Sequence, residues 1–319
     1  MIAATEWSGV FLPVTTPFEA ATSDLDAEGF GDNLRRWAAH PIRGVVVGGS
    51  TGEAPFLDPD ELVRLTDGAR AALPPAVRLV AGTGMESTRA TVRASRAVAR
   101  YGAEAVLVRP PSYFRAQMTP EALREHFLAV ADASPVPVIL YHVPKFVPVD
   151  LVPELVGRLL EHENIVAIKD SSGDLKNLGA LAEACAGRGS VLVGSGAHLY
   201  AGLELGAAGG ILAVALLAPA ESCAVVEAWT AGRMAEAGRA QEVLGPLNRV
   251  IVGGTGVPGI KHALDLLGYA GGPPRPPLRP PSPEARREVA AALERARLLA
   301  AVPAGGSGAA PATGGRDVR

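Results

Sequence analysis

Residues 164–174 read Asn-Ile-Val-Ala-Ile-Lys-Asp-Ser-Ser-Gly-Asp, an apolar run that ends in one lysine, Lys169, and passes at once into a polar turn. An uninterrupted apolar run of this length is typical of a strand that is covered on both faces in a parallel sheet. A lysine at the exit of such a strand faces either open solvent or a pocket. In a pocket its amine can attack a carbonyl carbon and form a Schiff base.

Seven further short apolar runs occur along the chain, and they predict seven further strands. They cover residues 10–14, 44–47, 77–81, 105–108, 136–141, 191–193 and 210–214. Segments with helical spacing lie between them, at residues 58–73, 87–100, 119–133, 150–160 and 174–186. Eight strand–helix units over about 220 residues predict an α/β protein with a (β/α)₈ TIM barrel. The alternative is a doubly wound sheet, which normally carries a nucleotide-binding fingerprint that this sequence lacks.

The pattern changes near residue 231, which divides the predicted barrel (residues 1–230) from a helical extension (231–302). Helices are predicted in the extension at residues 234–252, 257–267 and 283–301, with a proline-rich linker at 271–283. Residues 303–319 are mostly Gly, Ala and Pro, with little to bury, and we expect a disordered tail.

Composition excludes several classes of protein. The chain has 319 residues, is 48% hydrophobic and has a formal net charge of −3, so nothing in it attracts nucleic acid. It has no signal peptide and no membrane-spanning run, which predicts a cytoplasmic protein without a membrane partner. Cys185 and Cys223 lie far apart, and the spacing of His126, His142 and His198 does not gather metal ligands. We therefore expect no metal and no organic cofactor.

Barrel enzymes carry their chemistry at the carboxyl ends of the strands. Ser50 and Thr51 follow the second run, Tyr113 the fourth and Gly194 the seventh, while Tyr141 ends the fifth. A Schiff-base aldolase needs an amine, a proton shuttle and a carboxylate site, and these residue types supply all three. The glycine-rich loop 48–53 lacks the Gly-Lys-Ser/Thr ending of a phosphate loop. Glu53 at its end is interpreted as a helix-start acid, hydrogen-bonded to backbone, without a catalytic role.

Four spaced motifs together resemble the dihydrodipicolinate synthase / N-acetylneuraminate lyase family of class I aldolases, from about Trp7 to Ser282. They are Thr15-Thr16-Pro17-Phe18, Gly48-Gly49-Ser50-Thr51-Gly52-Glu53, Tyr141-His142-Val143-Pro144 and Ile168-Lys169-Asp170-Ser171. The resemblance implies a barrel, Schiff-base chemistry on pyruvate or a similar 2-oxo acid, and a homotetramer built as a dimer of dimers.

The resemblance also assigns roles by position. Lys169 matches the Schiff-base lysine, Tyr141 the proton shuttle, and Ser50 and Thr51 the pair that contacts the pyruvyl carboxylate. Tyr113 matches a tyrosine that reaches across the dimer interface to complete the proton relay. Ser171, Gly194 and Leu212 complete the predicted substrate-binding set, Ser171 as a contact to the second substrate.

The second substrate is predicted from departures within the family. Dihydrodipicolinate synthases carry an arginine two residues after the Tyr-x-Val-Pro motif, where this chain has Phe146, preceded by Lys145. Phenylalanine cannot form a bidentate pair with a carboxylate. This departure weakens the interpretation as a lysine-biosynthesis enzyme. The 4-hydroxy-2-oxoglutarate aldolase branch is the one that residues 49–57, 84–88, 169–174, 256–261 and 268–273 most resemble. That resemblance implies cleavage to pyruvate and the aldehyde glyoxylate, or the reverse reaction.

Three alternatives remain open on the sequence. The first is 4-hydroxy-tetrahydrodipicolinate synthase, which joins pyruvate to aspartate semialdehyde. The second is a sugar-acid aldolase or dehydratase. The third is a catalytically silent ligand-binding barrel, since a fold alone does not fix a function.

Overall fold

Eight parallel strands close into a barrel in the computed structural model, which describes residues 6–299. Each strand pairs with the next along the chain, and the last pairs with the first. The strands are β1 (Gly9–Pro13), β2 (Gly44–Val47), β3 (Arg78–Gly82), β4 (Ala105–Val108), β5 (Val138–His142), β6 (Ile165–Asp170), β7 (Ser190–Val193) and β8 (Gly209–Ile211). The predicted (β/α)₈ barrel is confirmed.

A helix follows each strand and covers the outside of the barrel. These helices are α1 (Ala27–Trp37), α2 (Pro59–Ala72), α3 (Thr88–Arg100), α4 (Pro120–Ala133), α5 (Pro153–Leu159), α6 (Leu175–Cys185), α7 (Leu199–Glu204) and α8 (Pro219–Thr230). Helices α2 and α4 begin as their sequences predict, with proline in the first turn after Asp58 and Thr119.

Three helices follow the barrel: α9 (Met234–Leu247), α10 (Gly256–Leu266) and α11 (Pro283–Arg295). The predicted single helix over 234–252 is wrong at its end, because a π-helical segment, Asn248–Thr255, replaces its last turn. Gly256 has φ 63° and ψ −152°, a conformation that glycine adopts readily and that separates this segment from α10. The predicted helix 283–301 ends earlier, at Arg295. The predicted tail, 303–319, lies outside the described residues, and the domain boundaries stay a prediction.

The strands are buried on both faces, which explains their uninterrupted apolar sequences. Val45, Leu79 and Leu192 have no exposed surface. Strands β2 and β3 approach so closely at their ends that a Cβ on Gly82 would lie 2.0 Å from the Gly48 carbonyl oxygen. In the described part of the chain, no helix is both long and apolar enough to cross a membrane.

The register between β5 and β6 positions the predicted catalytic residues. Tyr141 is paired with Lys169, and the next pair is His142 with Asp170. Successive side chains of a strand point to opposite faces of the sheet. The first pair therefore lies on one face of the sheet and the second pair on the other.

Candidate active site

Lys169 is the penultimate residue of β6, and only 5% of its surface is exposed. Its Nζ lies 4.2 Å from the centre of the Tyr141 ring. Within residues 6–299, no carboxylate lies in salt-bridge range of this ammonium group. A buried amine that no carboxylate neutralises is chemically available as a nucleophile.

Tyr141 connects the lysine to the loop after β2. Its hydroxyl lies 3.4 Å from the Ser50 Oγ, within hydrogen-bonding distance, and its ring faces Lys169. A phenol in this position can pass a proton between a bound substrate and the serine. The structure thus brings together three residues that are far apart in sequence and that the motifs had predicted to meet.

The loop of residues 48–53 forms a compact turn next to Tyr141. The N–H groups of Gly52 and Ala54 both donate to the Gly49 carbonyl, at 3.0 and 3.2 Å. The N–H groups of Ser50 and Thr51 make no backbone hydrogen bond within residues 6–299. They are available as donors to a carboxylate, as in the anion-binding nests that turns form.

A cavity of about 920 Å³ opens above this loop. Its lining includes Gly49, Ser50, Tyr141, Lys145 and Phe146. Lys169 and Thr51 are not part of its wall, but Tyr141, whose ring faces Lys169, is. The volume suits a small metabolite with its second substrate.

The remaining predicted substrate contacts divide into two groups. Gly194 and Ser171 are neighbours, since a Cβ on Gly194 would lie 1.9 Å from the Ser171 Oγ. The Gly194 N–H also donates to the Asp170 carbonyl at 2.7 Å. Leu212 is fully buried and donates its N–H to Phe11 at 3.0 Å. None of the three lines the cavity, and their roles as substrate contacts stay predictions.

Tyr113 lies apart from the other predicted catalytic residues. It is 82% exposed, and its ring packs edge-on against Phe114, with centroids 5.1 Å apart. Glu86 fixes its backbone by accepting the N–H groups of Ser112 and Tyr113, both at 2.9 Å. Burial raises the pKa of Glu86, but these hydrogen bonds and the Arg109 guanidinium outweigh that effect and hold the pKa below its usual value.

Comparison with known proteins decides the family. The model of the dihydrodipicolinate synthetase family matches residues 6–296. The chain belongs to this family. The resemblance carried by the four motifs is therefore confirmed at family level. The chain is accordingly a carbon–carbon lyase of the class I, lysine Schiff-base type.

Curated relatives and a solved structure agree with family membership. The 4-hydroxy-tetrahydrodipicolinate synthase of Methanothrix thermoacetophila is 37% identical over 277 residues, covering 86% of this chain and 92% of that protein. The enzyme of the same name from Synechococcus sp. (strain WH7803) is 33% identical over 297 residues, covering 93% and 97%. The structure of YagE, a family member from E. coli K12 in complex with pyruvate, has a TM-score of 0.87 and 28% identity, covering 92% of this chain and 99% of that one.

The sequence did not predict a buried histidine–aspartate pair, which lies on the other face of the sheet. His142 Nδ1 is hydrogen-bonded to Asp170 Oδ1 at 2.7 Å, one residue beyond Tyr141 and Lys169. Asp170 also accepts the Ser172 hydroxyl at 2.7 Å. Burial lowers the pKa of His142, but Asp170 and Asp150 outweigh that effect and hold it above the usual value. The feature of the sequence that could have indicated this pair is that an ionisable residue directly follows both Tyr141 and Lys169.

The sequence interpretation of Glu53 is correct in part, since Glu53 stands at a helix start and accepts a backbone N–H, but that N–H is not from its own helix. Glu53 does not cap the helix that follows it, and instead its carboxylate accepts the Lys261 ammonium at 2.7 Å and the Arg275 backbone N–H at 2.8 Å. Burial lowers the pKa of Lys261, and the charge of Glu53 opposes that effect. The helical-extension residue Lys261 had been given no role. In the sequence, the one feature that could have indicated a role for Lys261 is its position on the apolar side of α10, next to Ile260 and Ala263.

Proposed function

We propose that this enzyme forms an imine between Lys169 and C2 of pyruvate and joins the resulting enamine to an aldehyde, or runs the reverse cleavage. The proposal rests on the buried Lys169 amine beside Tyr141 and Ser50, which has no carboxylate partner among residues 6–299. YagE, in complex with pyruvate, supports a 2-oxo acid as the first substrate.

The chemistry follows from these groups. The unprotonated Lys169 amine attacks the C2 carbonyl carbon, and the carbinolamine loses water to give the imine. Loss of a C3 proton gives an enamine, whose C3 attacks the aldehyde carbon to form the new C–C bond. The aldehyde oxygen takes a proton from Tyr141, and the proton lost from C3 returns to the Tyr141 phenolate by way of Ser50. Water finally hydrolyses the imine and releases the product from Lys169. The Ser50 and Thr51 N–H groups hold the 2-oxo acid carboxylate throughout.

Aspartate semialdehyde is the second substrate that the comparisons favour. The curated relatives at 33–37% identity are named 4-hydroxy-tetrahydrodipicolinate synthase. That activity was an alternative in the sequence interpretation, and the relatives support it better than the 4-hydroxy-2-oxoglutarate branch that the sequence had favoured.

One observation keeps 4-hydroxy-2-oxoglutarate as a second candidate. Phe146, in the position of the synthases' arginine, lines the cavity and is 60% exposed. Lys145 beside it lines the cavity too, with its Nζ 3.5 Å from the Gly253 carbonyl. A phenylalanine here removes a bidentate anchor for the carboxylate of aspartate semialdehyde.

Borohydride trapping with pyruvate tests the imine. The expected result is a pyruvyl adduct on the peptide that contains Lys169, and no adduct in Lys169→Ala. Lys176→Ala, which removes a lysine on α6, is the matched control and should trap pyruvate like the wild type. A folded wild-type protein that forms no adduct would refute the proposal.

The same preparation then separates the two second substrates. Condensation of pyruvate with aspartate semialdehyde is compared with cleavage of 4-hydroxy-2-oxoglutarate, as kcat/KM. A large preference for the semialdehyde supports the synthase, and the opposite preference supports the aldolase. Phe146→Arg should shift the ratio of the two values toward the semialdehyde.

A further inference from the structure

The loop of residues 48–53 is held in a conformation that its sequence does not favour by itself. Gly48 and Glu53, at its two ends, have φ values of 60° and 58°. Glycine adopts positive φ freely, but glutamate carries a Cβ that makes it unfavourable. The Glu53 N–H donates to the Ser50 carbonyl at 3.2 Å. The conformation of Glu53 is therefore linked directly to the position of Ser50.

Contacts that hold Glu53 come from the far end of the chain. Lys261 on α10 donates to Glu53 Oε1, to the Thr16 carbonyl and to the Pro273 carbonyl, each at 2.7 Å. The side chains of Glu53 and Lys261 have no exposed surface. Thr16 in turn donates its hydroxyl to the Gly52 carbonyl at 2.7 Å. All three ammonium protons are thus used around the loop.

Residues 271–281, which we call the C-terminal strap, pass over the same region. The Arg275 N–H donates to Glu53 Oε2 at 2.8 Å. Its guanidinium forms a bidentate pair with Glu61 in the first turn of α2, at 2.6 and 2.7 Å. It also donates to the Phe56 carbonyl at 2.7 Å. The strap is therefore bonded to the loop and to the helix that follows the loop.

The strap also contributes directly to the site, since Leu278 lines the cavity together with Ser50 and Glu53. A buried ion pair is often no more stabilising than an apolar contact of the same volume. A buried ion pair does fix the positions of the groups that it joins, because each hydrogen bond specifies where its donor lies. The arrangement of charges around Glu53 is accordingly better suited to positioning a loop than to adding stability.

We propose that Glu53, Lys261 and Arg275 are positioning residues for the reaction: they hold the Ser50 and Thr51 N–H groups in the geometry that binds the substrate carboxylate. The C-terminal strap is then part of the active site, although no residue of it carries out chemistry. This inference rests on the proposed function, because it assigns the loop the carboxylate of a 2-oxo acid.

Two variants test the proposal while keeping most of the packing. Glu53→Gln retains the shape of the side chain and removes its charge, and Arg275→Lys retains the charge and removes the bidentate pair. Glu104→Gln is the matched control, because Glu104 also accepts two arginines and one backbone N–H, from Arg70, Arg78 and Leu79. Glu104 immediately precedes β4, at the end of the barrel away from the site.

Two readouts are measured on each purified variant. Hydrogen–deuterium exchange of the peptide covering residues 48–57 reports whether the loop is held. Borohydride trapping at increasing pyruvate concentration reports the concentration for half-saturation and the amount trapped at saturation. We expect faster exchange of the loop and at least a tenfold rise in the half-saturating concentration in Glu53→Gln and Arg275→Lys. The amount trapped at saturation should stay the same, since within residues 6–299 neither Lys169 nor Tyr141 is hydrogen-bonded to the strap.

Opposite results overturn the proposal. Unchanged exchange of the loop, or an unchanged half-saturating concentration, would show that the strap does not position it. Equal effects in Glu104→Gln would show general destabilisation instead. Failure of the wild type to trap pyruvate would remove the proposed function, while the exchange readout would still decide whether Glu53 and Arg275 hold the loop.

Discussion

At the scale of single residues, the Tyr141 hydroxyl separates binding from turnover. Tyr141→Phe keeps the ring that faces Lys169 and removes the group that lies 3.4 Å from Ser50. We expect pyruvate to be trapped on Lys169 as before while kcat falls by about 10²–10⁴-fold, the usual contribution of a positioned proton donor. Trapping and steady-state kinetics on one preparation measure both. Tyr101→Phe, at a tyrosine that is 44% exposed, is the control, and an unchanged kcat in Tyr141→Phe would exclude the shuttle role.

Buried His126 should make the folded protein less stable in acid. His126 is 6% exposed, its Nε2 has no hydrogen-bond partner in the part of the chain that the structure describes, and burial lowers its pKa from 6.5 to about 4. As the pH falls, the unfolded chain therefore binds a proton at His126 before the folded protein does. The contribution of neutral, buried His126 to stability is complete above pH 6.5 and is lost as the pH falls toward 4. The loss from this group is roughly 3 kcal/mol.

His126→Gln keeps a side chain able to bond to Thr88 and removes the titration. We expect the urea midpoint of this variant to fall less than that of the wild type between pH 7 and pH 4.5. His40→Gln, at a half-buried histidine, should follow the wild type. Parallel curves for wild type and His126→Gln would contradict the prediction.

Which site residues could be predicted from sequence depends on how they are positioned. Lys169 and Tyr141 end apolar runs and Ser50 follows one, and the rule that barrel chemistry lies at strand ends brings them together. The Lys261–Glu53 pair joins residues 208 positions apart through an extension whose packing no local pattern encodes. This pair therefore could not be predicted without the fold.

At the scale of elements, the His142–Asp170 pair joins β5 to β6 behind the catalytic residues. The pKa of His142 is raised in the folded state, so its contribution to stability is complete below about pH 6.5 and is lost as the pH rises through the raised value. Asp170→Asn should lower the free energy of unfolding by about 3–5 kcal/mol at pH 6, because one partner of a buried pair is removed.

The difference between wild type and Asp170→Asn should be smaller at pH 9 than at pH 6, because the contribution of the pair is lost as the pH rises through the raised pKa of His142. Urea unfolding at the two pH values measures it. Asp132→Asn is the control, since Asp132 pairs with His162 at 3.0 Å but is 73% exposed in its side chain, and should change little. A larger effect of Asp170→Asn at pH 9 than at pH 6 would reverse the sign and refute the pairing argument.

Elements themselves were predictable where one periodicity dominates. The strands have continuous apolar sequences because helices cover one face and the barrel interior the other. The end of α9 was not predictable, because helical spacing continues across Asn248–Thr255 while the hydrogen bonding changes to a π-helix. Strand β8 is shorter than its apolar run because a 3₁₀ turn, Ala213–Leu216, takes its end.

At the scale of the whole molecule, the helical extension returns to the barrel mouth through Lys261 and the strap, which bind Thr16 and Glu53 beside the site. Tyr113 is the exception, since its side chain is exposed and lies outside the cavity wall. We propose that the enzyme is a homotetramer in which Tyr113 completes the site of a neighbouring subunit. Exposed Tyr113 and Phe114 are the kind of aromatic pair that anchors an interface.

Mixed subunits test this assembly. Lys169→Ala and Tyr113→Phe should each be nearly inactive alone. Co-expressed, they should recover up to about a quarter of wild-type activity, because half of the paired subunits are then mixed and one of the two sites in each mixed pair has both residues intact. Co-expression of Lys169→Ala with Tyr141→Phe is the control. Because both residues belong to the same subunit's site, neither site of a mixed pair is complete. Mass photometry should show tetramers in every case, and a wild-type monomer, or no recovery in the first mixture, would mean that Tyr113 does not act across an interface.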